Sequence, residues 1–134
     1  MQTIASLEYP LSATTRSLIF DLLPSALSNV PFHNNTDAVN RIVAENFPVH
    51  LAVHEISPVK TAPAQYTELH MHDDSDEVNI ILSKSKLVYR IQLDDDIYKV
   101  AANSSIWIPR GVLHSANVIE GSGYFVTLRL SSLF

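Results

Sequence analysis

Residues 70–82 read HMHDDSDEVNIIL. On an extended strand residues i and i+2 face the same way, so His70 and His72 project together while Leu69 and Met71 face the other side. The polar run DDSD predicts a turn. Glu77 then opens an apolar strand, EVNIIL, which can fold back antiparallel and bring its carboxylate beside the two imidazoles. One hairpin would thus carry three side chains of metal-ligand type. Asp73, Asp74 and Asp76 read as solvated turn residues.

Working outward, the chain from residue 48 onward reads as short strands separated by turns. PVHLAVHEI alternates with Val49, Leu51 and Val53 on one face, and KLVYRIQL places Leu87, Tyr89, Ile91 and Leu93 together. IYKVAA, SSIWIP and GYFVTLRL follow, the last with Tyr124, Val126, Leu128 and Leu130 on one side. Strands spaced in this way indicate an antiparallel sandwich or barrel. Before residue 48 the signals are helical or irregular. In TDAVNRIVAENF, Val39, Ile42, Val43 and Phe47 fall at helical spacing behind possible caps at Asn35 and Thr36. RSLIFDLLP fits a short helix or a strand. The expected organisation is a helical or irregular extension over 1–47 packed on a β-barrel domain over 48–134.

Composition bounds the partners. The 134 residues suit one domain, 46% of them are hydrophobic and 17% charged, and the net charge is −5. An acidic chain without clustered Lys and Arg argues against nucleic acid and anionic membranes as partners. There is no cysteine, so any metal must be held by histidines and carboxylates. The N-terminus lacks the pattern of a secretion signal, and no stretch approaches the ~18 apolar residues of a membrane span, which predicts a cytoplasmic location.

A second stretch answers the first. Residues 103–117 read NSSIWIPRGVLHSAN: an apolar strand, a turn built on Pro109 and Gly111, and His114 at the start of the next strand. H-x-H-x4-E followed by P-x-G-x-x-H resembles the two motifs of the cupin superfamily, over roughly residues 48–130. The chain departs from that pattern in three places: Lys84 and Asn103 stand where cupins more often have glycine, as does the run Gln65, Tyr66 and Thr67 upstream of His70. Asn103 is expected to serve as a left-handed turn residue. The resemblance implies an all-β double-stranded β-helix (the jelly-roll or cupin barrel) with a short helical N-terminal extension. It implies that His70, His72, Glu77 and His114 hold one divalent transition metal per chain, of the set Fe, Mn, Ni, Zn, Co or Cu.

An octahedral ion held by four such ligands keeps two adjacent positions open, for Lewis-acid, hydrolytic or oxygen chemistry. The expected function is that of a small metal-dependent enzyme (dioxygenase, isomerase or lyase) acting on a small polar metabolite. The alternative is a non-enzymatic cupin that binds or senses a small ligand. Strand phase, with Glu77 inward, also turns Asn79 and Ile81 inward and makes Leu87/Tyr89/Ile91 and Tyr124/Val126/Leu128 the inner faces of their strands. Asn79, Tyr89, Tyr124 and Arg110 in the P-x-G turn are therefore the candidate substrate contacts. Arg90 and Arg129 are expected to face solvent, and His33, His50 and His54 receive no role. A strand apolar on both faces, as EVNIIL is, needs cover on both sides, which predicts a homodimer.

Overall fold

β-branched and aromatic residues in alternating runs fold here into one antiparallel sheet that curls upon itself, as seen in a computed structural model that describes residues 15–131. The strands are β1 (Leu22–Pro24), β2 (Val39–Ala44), β3 (His50–Val59), β4 (Ser75–Leu82), β5 (Leu87–Leu93), β6 (Asp96–Ala101), β7 (Ser104–Ile108) and β8 (His114–Ser131). Their order is β1-β2-β3-β8-β4-β7, with β5 paired to β8 and β6 to β5. Among the described residues no helix is long and apolar enough to cross a membrane.

β8 organises the barrel. Its first half pairs with β5, from Leu93 opposite His114 to Leu87 opposite Gly121. Its second half lies between β3 and β4. The change of partner is made at a bulge: Tyr89 faces Val118 and Val88 faces Glu120, which leaves Ile119 as an extra residue. Two glycines with positive φ follow, Gly121 at 96° and Gly123 at 148°. A Cβ on Gly121 would collide with the carbonyl of Lys86, so only glycine lets the two strands approach there.

The bulge reverses the inside and outside of β8. His114, Ala116 and Val118 lie opposite the inward Leu93, Ile91 and Tyr89; beyond the extra residue the inward set is Phe125, Thr127 and Arg129. The expectation that Tyr124, Val126 and Leu128 point inward, and Arg129 outward, is therefore corrected. On β4 the phase is as expected: Ser75, Glu77, Asn79 and Ile81 are buried. Ile81, Leu87, Tyr89, Ile91, Val118 and Phe125 form the centre of the core, with Tyr89 stacked on Phe125 at 4.5 Å.

The helical extension is also corrected. Residues 39–44 form β2, paired with β3 from Val39–Ile56 to Val43–Ala52, and β1 pairs with β2 in the same sheet. The helical spacing of Val39, Ile42 and Val43 was outweighed by β-branched side chains, stiff at χ1, lying beside a free edge of β3. The described helical segments before β3 are two 3₁₀ turns, Thr15–Leu18 and Leu27–Asn29. The part of the expected extension in residues 1–14 lies outside the described residues. Asn103 is not a left-handed residue either: its side-chain oxygen accepts from the Ser83 N–H at 2.9 Å and so ties the β4–β5 hairpin to the start of β7.

Where β3, β8, β4 and β7 lie side by side, the outer face of the sheet carries apolar rows. Leu51, Leu128, Val78 and Trp107 form one cross-strand row, and Val53, Val126 and Ile80 the next. Trp107 is 56% exposed on this face.

Candidate metal centre

The loop before β4, β4 itself and the start of β8 converge at the mouth of the barrel. The expectation that His70 and His72 lie on a strand paired with β4 is corrected, since His72 lies in the loop and His70 pairs with His114. His70 and His114 face each other across an isolated antiparallel bridge: the His70 N–H donates to the His114 carbonyl at 3.1 Å, and the His114 N–H to the His70 carbonyl at 2.7 Å. Directly opposed residues in such a pair project to the same side. The P-R-G turn is secured to the first motif, because the Gly111 N–H donates to the His72 carbonyl at 2.7 Å; Gly111 sits there with φ 85°. The ring centroids lie 4.5 Å apart for His70–His114, 5.2 Å for His70–His72 and 5.3 Å for His72–His114. One nitrogen from each ring falls within 4.8 Å of the others.

Backbone carbonyls fix the tautomers. A carbonyl can only accept, so His70 Nδ1 donates to the Glu68 carbonyl at 2.7 Å and His114 Nδ1 to the Val112 carbonyl at 2.9 Å. The Nε2 lone pairs are thereby aimed at the centre. Glu77 reaches the same point from β4, with Oε1 3.3 Å from His72 Nε2 and 3.5 Å from His114 Nε2. Its other oxygen accepts from Asn79 Nδ2 at 2.8 Å, which sets the carboxylate's orientation. Phe32 stacks flat on His70 at 5.4 Å and the His33 ring meets it edge-on.

The protonation states of Glu77, His70 and His72 suit a cation, whereas at His114 an ion would compete with a proton. Burial alone would raise the Glu77 carboxyl, but the neighbouring His114, the Asn79 amide and His72 outweigh it and hold it at about 2. Burial, with help from the Arg129 cation, lowers His72 to about 4, and burial also lowers His70. His114 moves the other way, because the Glu77 carboxylate beside it overcomes the effect of burial. Neutral imidazoles and an ionised carboxylate are the forms a divalent ion requires. His114 Nε2 is buried and lacks a hydrogen-bond partner, a costly condition that a bound ion would relieve. The donor set of imidazole nitrogens and one carboxylate oxygen therefore fits a borderline divalent transition metal.

The cleft around this point is small, a cavity of ≈ 60 Å³ that opens to solvent and leaves room only for a small ligand. All six histidines of the chain line it: His33, His50, His54, His70, His72 and His114. Arg41, Arg129, Asn79 and Thr127 line it as well.

Of the four candidate substrate contacts, only Asn79 is in the cleft. Tyr89 is fully buried, at 0% exposure, in the core behind it. Tyr124 is 47% exposed on the outer face, placed there by the bulge. Arg110 lies on the surface, where its backbone N–H and its guanidinium both donate to Asp76. The residues that sequence reasoning passed over are His33, His50, His54, Arg41 and Arg129. For His50 and His54 the alternation was legible: they share the strand face opposite Leu51 and Val53. That the polar face of β3 is the inner one here could be learned only from its pairing with β8.

No protein-family model and no curated protein matches the sequence. Solved structures do match the fold. A predicted oxalate decarboxylase from Thermotoga maritima is 15% identical, with a TM-score of 0.58 over 83% of this chain and 94% of that one. An RmlC-like cupin from Shewanella frigidimarina is 15% identical, with a TM-score of 0.53 over 78% of this chain and 86% of that one. This is a cupin fold. The polyketide cyclase RemF from Streptomyces resistomycificus is also similar in fold, at 19% identity and a TM-score of 0.56 over 81% of this chain and 73% of that one. Across such low identity the likeness is one of cupin architecture.

Proposed function

We propose that this chain is a metal-dependent cupin enzyme acting on a small polar metabolite, with one divalent transition metal held by His70, His72, His114 and Glu77. The observation that carries the reading is the convergence of three imidazole nitrogens within 4.8 Å, with the Glu77 oxygen against two of them, at the floor of an open cleft. Bound there, the ion would supply Lewis acidity toward a carbonyl or carboxylate, an activated water or, as iron, oxygen chemistry. The reaction is of the dioxygenase, isomerase or lyase type. The similarity to a predicted oxalate decarboxylase and to a polyketide cyclase supports an enzymatic role on this barrel.

The protein's own groups have distinct tasks. The Glu68 and Val112 carbonyls hold His70 and His114 with Nε2 free. Asn79 orients Glu77. Phe32, stacked over His70, limits water access from that side. Metal-loaded protein should turn over small hydroxy- or keto-acids from a screen, lose that activity on chelation and regain it when the metal is returned. Turnover that survives chelation would overturn the reading, as would tight metal binding with no turnover across the screen.

Glu77→Gln keeps the shape and one carbonyl oxygen but removes the charge that offsets the ion. Metal affinity should fall about tenfold or more, while the fold is retained. Asp74, whose side chain is 77% exposed, is the control, and Asp74→Asn should leave affinity unchanged. Equal effects at the two positions in a metal titration would remove Glu77 from the ligand set.

The same proposal extends to assembly. The outer apolar rows on β3, β8, β4 and β7 suit a two-fold partner presenting the identical face. Light scattering should give twice the 14.9 kDa chain mass, and a mass of one chain at micromolar concentration would contradict the dimer.

A further inference from the structure

The metal ligands do not use the most unusual charge in the cleft. Arg41 stands on β2 directly opposite His54 of β3 and is only 8% exposed. Its Nη1 donates to Ser25 Oγ at 2.9 Å, and among the described residues no carboxylate lies within ion-pair distance of it. A buried guanidinium without an anion is destabilising, and folds retain such a group where a ligand supplies the anion. Burial lowers its pKa without any acidic neighbour restoring it.

Two further features point to the same occupant. His54 Nδ1 is buried without a hydrogen-bond partner, and its ring is held against Phe125 at 5.6 Å on the cleft wall. Burial keeps that imidazole neutral, at about 3, so it can share a hydrogen bond without adding charge. On the other wall Arg129 is the cross-strand neighbour of both His50 and Glu77, and it comes only within 3.9 Å of exposed Asp74. Glu77 is the one acidic residue among the cleft's lining side chains, against Arg41 and Arg129. With a divalent ion added, the charges sum to 2 + 2 − 1, or three positive. Such a cleft selects an anion.

We propose that Arg41, with His54 beside it, anchors the carboxylate of a small acidic substrate whose reacting end lies at His70, His72 and His114. A planar guanidinium fork matches a planar carboxylate in two parallel hydrogen bonds. Phosphate sites commonly add the N-terminus of an α-helix, and the described residues contain no α-helix. This inference rests on the metal-centre reading for the substrate's second contact, but the anchor itself is separable from it.

The probe is malonate, measured by calorimetry against nickel-loaded and metal-free protein, with neutral malonamide and inorganic phosphate as comparisons. Wild type should bind malonate and not malonamide. Arg41→Gln should weaken malonate about tenfold or more, leave nickel affinity within about twofold, and melt at the same or a higher temperature, since an unpaired buried charge has been removed. Arg41→Lys, which keeps the charge but not the two-pronged fork, should bind malonate more weakly than wild type and more tightly than Arg41→Gln. If nickel fails to bind while malonate binding still depends on Arg41, the anchor stands and the metal reading falls. Nickel binding with malonate affinity indifferent to Arg41 overturns the anchor alone. It is also overturned if wild type binds no malonate, if malonamide binds equally well, or if phosphate binds tighter than malonate. A lowered melting temperature in both Arg41 variants would make Arg41 a structural group and overturn it as well.

Discussion

His114→Ala should give a folded protein that no longer retains a divalent transition metal through dialysis, where wild type retains close to one per chain. The ring contributes little to the core. Its Nε2 has no hydrogen-bond partner, and its Nδ1 bond to the Val112 carbonyl lies at the barrel mouth. The strand pairing that holds this position uses backbone groups, the reciprocal bridge to His70, which alanine keeps. What disappears is the nitrogen that faces both His70 and Glu77. Losing even a group behind a metal ligand costs about ten- to a hundredfold in affinity, so losing a ligand should cost about a hundredfold or more. His72→Ala should behave alike. Elemental analysis finding equal metal in wild type and His114→Ala would remove the histidines from the site.

The largest stability effect is expected far from the cleft. Gly121→Ala puts a Cβ into the Lys86 carbonyl and against the Leu87 backbone, at a φ of 96° that L side chains rarely adopt. Backbone strain of this kind costs about 1–3 kcal/mol, and the obstruction is main chain, which cannot rotate away. Together they should destabilise the fold by about 3 kcal/mol or more, which for a chain of this length lowers the melting temperature by roughly 10 °C. Gly111→Ala is the comparison, because a Cβ there meets nothing within 4 Å and only the φ of 85° opposes it. Denaturant melts giving the same stability for Gly121→Ala and wild type would contradict the sharp strand change at that point.

That strand change also explains which parts of the site could be read from sequence. The joint projection of His70 and His72 and the inward phase of Glu77, Asn79 and Ile81 follow from local alternation, β4 being regular throughout. The expected hairpin between residues 70–72 and β4 does not form, because β4 pairs with β7 and β8. His114 follows from Pro109 and Gly111, whose backbone preferences are local too. Alternation fails once a residue is inserted. Counting forward from His114 predicts Tyr124 inside, whereas the extra Ile119 puts Phe125, Thr127 and Arg129 there instead. The pair Gly121 and Gly123 was the available signal, since glycines within a strand mark such irregularities. Arg41 was hidden for another reason. Residues 36–47 carry spacing that fits a helix, and only the edge of β3, a partner remote in sequence, makes them a strand with Arg41 facing the cleft. Arg110 shows the converse: it lies beside a functional turn, yet its charge is already used by Asp76.

X-ray absorption spectroscopy on the nickel-loaded protein reads the ligands themselves. The expected result is a nitrogen and oxygen shell with the outer scattering of three imidazoles, falling to two in His114→Ala if metal is forced in at high concentration. A wild-type spectrum with at most one imidazole would contradict a centre built from His70, His72 and His114.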